Sequence, residues 1–209
     1  WPRELPPLGD QELAGPNTQS LDQRLPELKA VFQHDFAANG FDTGRFALVR
    51  NMDGGVLTHQ PQGLQVVRPG GDAYMATLIA PAIAVRGDFD ISVSFEQFET
   101  QLTPGSHATA MLQLFMTGDA TNESTVSRRH TISTADLSQQ YIIAGVAERS
   151  GEDTRRIQLA NSPGESPSGA FRIARRGDQI SYLYSEGVKA PFRILAVKTG
   201  TTDDIEPRH

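Results

Sequence analysis

Cysteine is missing from the 209 residues, and that excludes disulfides, thiolate metal centres and cysteine nucleophiles together. Tryptophan occurs once, as Trp1, and tyrosine four times. Exposed rings of these kinds are the platforms on which sugars stack, so a carbohydrate site has little to draw on. No apolar run approaches the ~20 residues that cross a bilayer as a helix. The longest, residues 73–85, is broken by Pro81. Positive charge is also short: 19 Lys and Arg stand against 25 Asp and Glu, for a net charge of −6. A general binder of nucleic acid or of anionic membrane would show a basic excess instead. The chain starts at Trp1 rather than Met, and the expectation is a processed or excised segment.

What is present is two-residue alternation. In residues 87–98, GDFDISVSFEQF, the side chains of Phe89, Ile91, Val93 and Phe95 fall on one side of an extended chain. Asp88, Asp90, Ser92, Ser94 and Glu96 fall on the other. Such a strand has one face in a core and one toward water or a ligand. Similar stretches are read at residues 31–36, 63–68, 73–79, 83–85, 109–117, 125–133, 141–148, 155–160, 170–175, 179–185 and from Phe192 to Val197. Between them stand turn signals such as Pro104-Gly105-Ser106, the NSPGESPSG of residues 161–169, and Arg176-Gly177-Asp178. The last of these predicts a hairpin.

Helical spacing is confined to Leu21, Leu25, Leu28 and Val31, and Pro26 predicts a short helix starting there. The 38% hydrophobic and 21% charged composition is that of a globular protein with a core. Three parts are expected: a Pro/Gly-rich N-terminal arm with a short helix over residues 1–30, a β domain over 31–197, and an acidic tail over 198–209. Many strands with close turns and almost no helix predict an all-β sandwich or barrel.

The long strand opened by GDFDIS and the terminal hairpin FRIARRGDQISYLYSEG together resemble the concanavalin A-like lectin/glucanase superfamily, the two-sheet jelly roll shared with laminin-G modules, and within it bacterial secreted members of unknown function. The resemblance covers roughly residues 32–197 and implies a two-sheet antiparallel jelly-roll sandwich, with an extracytoplasmic setting. One departure stands out. The final twelve residues hold Ile205 as their single large aliphatic. Either the strand from Phe192 to Val197 closes its sheet, or an edge stays open for another chain to pair with.

Catalytic members of that superfamily carry carboxylates on alternate residues of one strand. The counterparts here, Asp88, Asp90 and Glu96, do not reproduce the arrangement. Asp88 and Asp90 flank a Gly turn, where Asp serves as a turn former. Glu96 lies six residues from Asp90, on the order of 20 Å along a strand, too far for a glycosidase pair. No catalytic residue is therefore assigned. His34, His59, His107, His130 and His209 show no metal-ligand spacing, and no metal is assigned. Calcium, common in the superfamily, would draw on Asn51 with Asp53, on Asp119 with Asn122 and Glu123, or on Asp203-Asp204. All of these also suit plain turns.

Two Arg-Gly-Asp triplets, at residues 86–88 and 176–178, stand at strand starts or hairpin tips and read as turns. The pairs Arg128-Arg129, Arg155-Arg156 and Arg175-Arg176 read as solvated strand edges. The candidate binding surface is a polar sheet face with Glu96, Gln113, Arg128 and His130. The reading of the sequence is a noncatalytic binding or assembly module of a larger exported protein or complex. Its partner is another protein or a neighbouring domain, met in part through an open edge near Phe192 and Val197. A carbohydrate-binding module is the alternative, and a glycoside hydrolase-like enzyme the second alternative.

Overall fold

A computed structural model describes residues 18–23, 25, 28, 32–51, 55–68, 76–116, 123–150, 153–200 and 204–205. The expected arm, up to residue 17, lies outside the described residues. The chain is all-β and antiparallel. Among the described residues two short helices, α1 (Thr18–Asp22) and α2 (Phe36–Asn39), precede twelve strands. These are β1 (Phe46–Asn51), β2 (Val56–Gln60), β3 (Gly63–Val67), β4 (Thr77–Pro81), β5 (Phe89–Phe95), β6 (His107–Phe115), β7 (Glu123–Ile132), β8 (Ser138–Ser150), β9 (Asp153–Pro163), β10 (Gly169–Arg176), β11 (Gln179–Ser185) and β12 (Arg193–Lys198). Two four-stranded sheets, β12-β11-β10-β5 and β6-β7-β8-β9, pack face to face, and β1-β4 and β2-β3 form separate ribbons.

The core between the large sheets follows directly from the alternation. Ile173 and Tyr182 face each other across β10 and β11, as do Phe171 and Tyr184. With Phe89 they meet Val126, Ile142, Ala144 and Val146 from the second sheet. Tyr182 is fully buried and hydrogen-bonds Ser124 Oγ at 3.1 Å. Burial pushes its pKa up to about 12, against the weaker pull of that bond. Tyr182 and Tyr184 therefore belong to the core, and neither offers a sugar a platform.

Even the two Arg-Gly-Asp tips serve the fold. Gly87 and Gly177 both have positive φ, which only a residue without Cβ adopts freely. Asp88 Oδ1 accepts the Gly177 amide at 2.7 Å, tying the two tips together.

Several expectations are corrected. The helix expected from Pro26 lies, but for Leu28, outside the described residues; upstream of it stands the unexpected α1, where Leu21 packs with Ala174, Leu183, Phe192 and Ile194 on the outer side of the first sheet. Residues 32–35 form no strand; the Asp35 side chain instead accepts the Ala37 amide and caps α2. β2 was not expected at all, and Val85 makes only an isolated bridge. Val93, expected in the core, is 40% exposed, because β5 is the end strand of its sheet. The tail is not all appendage: Ile205 bridges Val85 and Met116 and is buried in the main core. Beside it Asp204 accepts the Gly87 amide and pairs with Arg175.

Candidate functional site

The strand registers decide which candidate residues meet. His130 lies opposite Ala108 and Arg128 opposite Ala110. Both therefore share a side of β7 with Val126, which sits in the inter-sheet core. Gln113 lies opposite Thr125, an odd number of residues from Arg128, and so faces the other way. There its amide donates to Glu123 Oε2 at 2.8 Å. Glu96 is exposed just beyond the end of β5, in the other sheet. The expected polar face is thus divided: Arg128 and His130 come together, while Gln113 and Glu96 stand elsewhere.

Arg128 and His130 mark the point where the apolar layer between the sheets turns polar. Next to them on β8, facing the same way, are Gln140 (opposite His130) and Ser138. His130 is held on both ring nitrogens, Nδ1 by Thr100 Oγ1 and Nε2 by Ser138 Oγ at 2.9 Å. Arg128 is 1% exposed, against the expectation of a solvated pair with Arg129. Its Nη2 donates to Gln140 Oε1, and its guanidinium lies 5.8 Å from the centre of the Phe98 ring. Its Nε and Nη1 have no hydrogen-bond partner, and neither does the buried hydroxyl of Tyr184. Burial raises the Tyr184 pKa, while the neighbouring Arg128 opposes that shift by its charge and by its side-chain approach to the hydroxyl.

Glycine makes this crowding possible. A Cβ on Gly164 would fall 2.6 Å from Ile142 Cδ1 and 3.1 Å from Arg128 Nη1. On Gly169 it would fall 2.5 Å from the Ser185 carbonyl oxygen and 3.0 Å from the Tyr184 hydroxyl.

The opposite face of the β6–β9 sheet is a second polar surface. β10, β11 and β12, the described strands that pack on this sheet, do so from the inner side. The outer face carries Thr109, Met111 and Gln113 from β6, and Thr125, Ser127 and Arg129 from β7. β8 adds Tyr141, Ile143 and Gly145, and β9 adds Arg156, Gln158 and Asn161. The floor is made of small residues; Ser127 is buried, and a Cβ on Gly145 would press on the Ile157 carbonyl at 3.2 Å. Arg156, Gln158, Asn161 and Met111 stand exposed around it. Burial, then the charge of Arg156, lower the Arg129 pKa. Burial, then Arg129, lower that of His107. Arg129 is thus pressed by a neighbouring cation, and it in turn disfavours charge on His107. Nothing in the alternation separated this face from the inner one, because both sides of β7 carry arginine.

The first sheet ends in β12, which pairs with β11 through a register shift between Tyr182 and Leu183. β12 is thus the closing strand, and its far edge carries no strand among the described residues. Lys198 on it donates to Glu148 Oε1 at 2.6 Å, linking the two sheets.

Of the calcium candidates, Asp53, Asp119, Asn122 and Asp203 lie outside the described residues. Glu123 and Asp204 are engaged as given above. Among the described residues no three His, Asp or Glu side chains gather as a metal site, and no described helix is long and apolar enough to cross a membrane.

Residues 8–209 match the family described as Protein of unknown function (DUF1583) C domain. The chain belongs to that family. No curated protein and no solved structure matches it. The DUF1583 C domain thus acquires its functional reading from its own geometry.

Proposed function

We propose that this DUF1583 C domain is a noncatalytic binding module, and that the outer face of the β6–β9 sheet is the surface it presents to an acidic partner. The observation that carries this reading is the pair Arg129 and Arg156. They share a face left uncovered by the described strands, and the charge of one lowers the pKa of the other. Backbone groups inside a sheet are engaged in the ladder, so recognition there falls to side chains, and arginine suits carboxylates. In the first reading the partner is a protein surface, met within a larger exported protein or complex. The free edge of β12 offers a second place of contact. The finer fold assignment, a concanavalin A-like jelly roll, belongs to the same proposal and is supported by the two packed antiparallel sheets.

A carbohydrate-binding reading is favoured by one feature, Tyr141 opposite Arg129 on this face, since a ring beside a cation suits an acidic sugar. Calorimetric titration with a polyglutamate peptide and with oligogalacturonate decides between them. At low salt one of the two should bind. The Arg129→Ala/Arg156→Ala double variant should weaken that binding at least tenfold, and raised salt should weaken it further. If neither ligand binds, or if binding ignores both arginines, the proposal fails.

A further inference from the structure

We propose that the polar end of the inter-sheet layer is a carboxylate-receiving site, with Arg128 and Tyr184 as its donors. This site is separate from the outer face and does not depend on it. A guanidinium stays protonated in proteins, and taking it out of water without a counter-charge costs several kcal/mol. Folded chains keep such a group where something answers it. Arg128 is 1% exposed, and Gln140, a neutral amide, is the hydrogen-bond partner it has. Two of its nitrogens and the Tyr184 hydroxyl are buried without acceptors. Around it Gln140 accepts from the cation, and on the same strand face His130 is bonded to Thr100 and Ser138, so the hydroxyls there are taken up by the imidazole.

Glu186, whose charge acts on Tyr184, is engaged elsewhere. Glu186 pairs with Arg193 at 3.3 Å and accepts the Glu165 amide at 3.4 Å. What this end lacks is an acceptor carrying negative charge, and a planar carboxylate is the group that guanidinium geometry fits best.

Access is through the roof. Residues 96–106 and 164–168 contain no strand or helix. The Gly105 amide and the Ser106 carbonyl tie the first segment's end to Ile132, and across this end the bonds are the Phe98 amide to the Pro167 carbonyl at 2.8 Å and the Gly164 amide to the Gln140 carbonyl at 3.2 Å. Coil secured by so few bonds opens locally far more readily than the flanking strands. Opening it would uncover the face of Arg128 that Gly164 now presses against.

The test is thermal unfolding of the whole chain in sodium acetate against sodium chloride at equal ionic strength. Acetate should raise Tm saturably, by roughly 2–10 °C once well above its dissociation constant. Arg128→Lys keeps the charge but loses the fork, and should lose most of that rise. Tyr184→Phe deletes an oxygen that makes no hydrogen bond, so it should fold normally and lose at least half of the rise. The Arg129→Ala/Arg156→Ala variant should respond as the unmodified chain does, which separates this site from the outer face. A short peptide with a free C-terminal carboxylate, compared with its amidated form, tells a chain-borne carboxylate from a free one. An equal effect of chloride, or an undiminished acetate response in Tyr184→Phe and Arg128→Lys, overturns the proposal. So does an acetate response that vanishes with Arg129 and Arg156.

Discussion

Two arginines, Arg172 and Arg128, are buried to almost the same degree, at 4% and 1% exposed, and the chain treats them in opposite ways. Arg172 lies on the outer side of the first sheet, where Asp90 grips it with both oxygens, Nε to Oδ1 at 2.8 Å and Nη2 to Oδ2 at 2.6 Å. Asp22 at the end of α1 takes Nη1 at 2.6 Å, and the Phe192 ring lies 5.3 Å away. Burial pulls the Arg172 pKa down, but its bonds to Asp90 and Asp22 outweigh that and raise it. Arg128, inside the sandwich, has a single amide. A buried cation is thus a fastening where carboxylates surround it, and an open valence where they do not.

The largest effect that would break this comparison is at Arg172. Replacing it with Met strands Asp90, whose side chain is only 10% exposed, and should cost about 3–5 kcal/mol, read by urea unfolding. The same change at Arg128 strands no charge. It should be neutral or stabilise by up to about 1–4 kcal/mol in anion-free buffer. Equal losses at the two positions would erase the distinction.

A smaller effect sharpens it at Arg175, the third buried arginine, which donates to the Gly87 carbonyl and to Asp204. The Asp204 pKa is held down first by the Gly87 amide; burial opposes this, and Arg175 adds to the lowering. A carboxylate with a depressed folded pKa stabilises above its unfolded value, near 3.9, and that contribution is lost as pH falls through the folded value. The protection factors of the Val85 and Ile205 amides, which bond each other's carbonyls, should therefore fall in acid below pH ~4. In Asp204→Asn they should be low already at neutral pH. Protection indifferent to both would mean that Ile205 docks by its side chain alone.

How much of this could be read from the sequence differs by scale. The strands β5 to β12 follow from period-two patterns, because one face of each meets the layer between the sheets, even where, as in β10 and β11, the other face is buried as well. α1 was missed because leucines at helical spacing continue past Asp22, and the pattern does not show where docking on Ala174 and Leu183 stops. β2 was missed because VLTHQ is polar and half-exposed, with no face to signal. Of the candidate residues, Arg128 and His130 lie on one side of β7, as parity along one strand predicts. Gln113 was misassigned because the register between two strands is a matter of pairing, which parity within either strand leaves open. The burial of Arg128, Arg172 and Arg175 was invisible for the same reason. Charged side chains enter a core only where distant residues receive them, and those lie up to 150 positions away in sequence.

The contrast between the two arginines can be read atom by atom. In a 15N-labelled sample, the Nε–H resonances of Arg128 and Arg172 are followed while acetate is added against a chloride control. The account predicts that the Arg128 signal moves saturably with acetate, while that of Arg172, already occupied by Asp90, stays in place. An unmoved Arg128 signal, or equal movement of both, would contradict it.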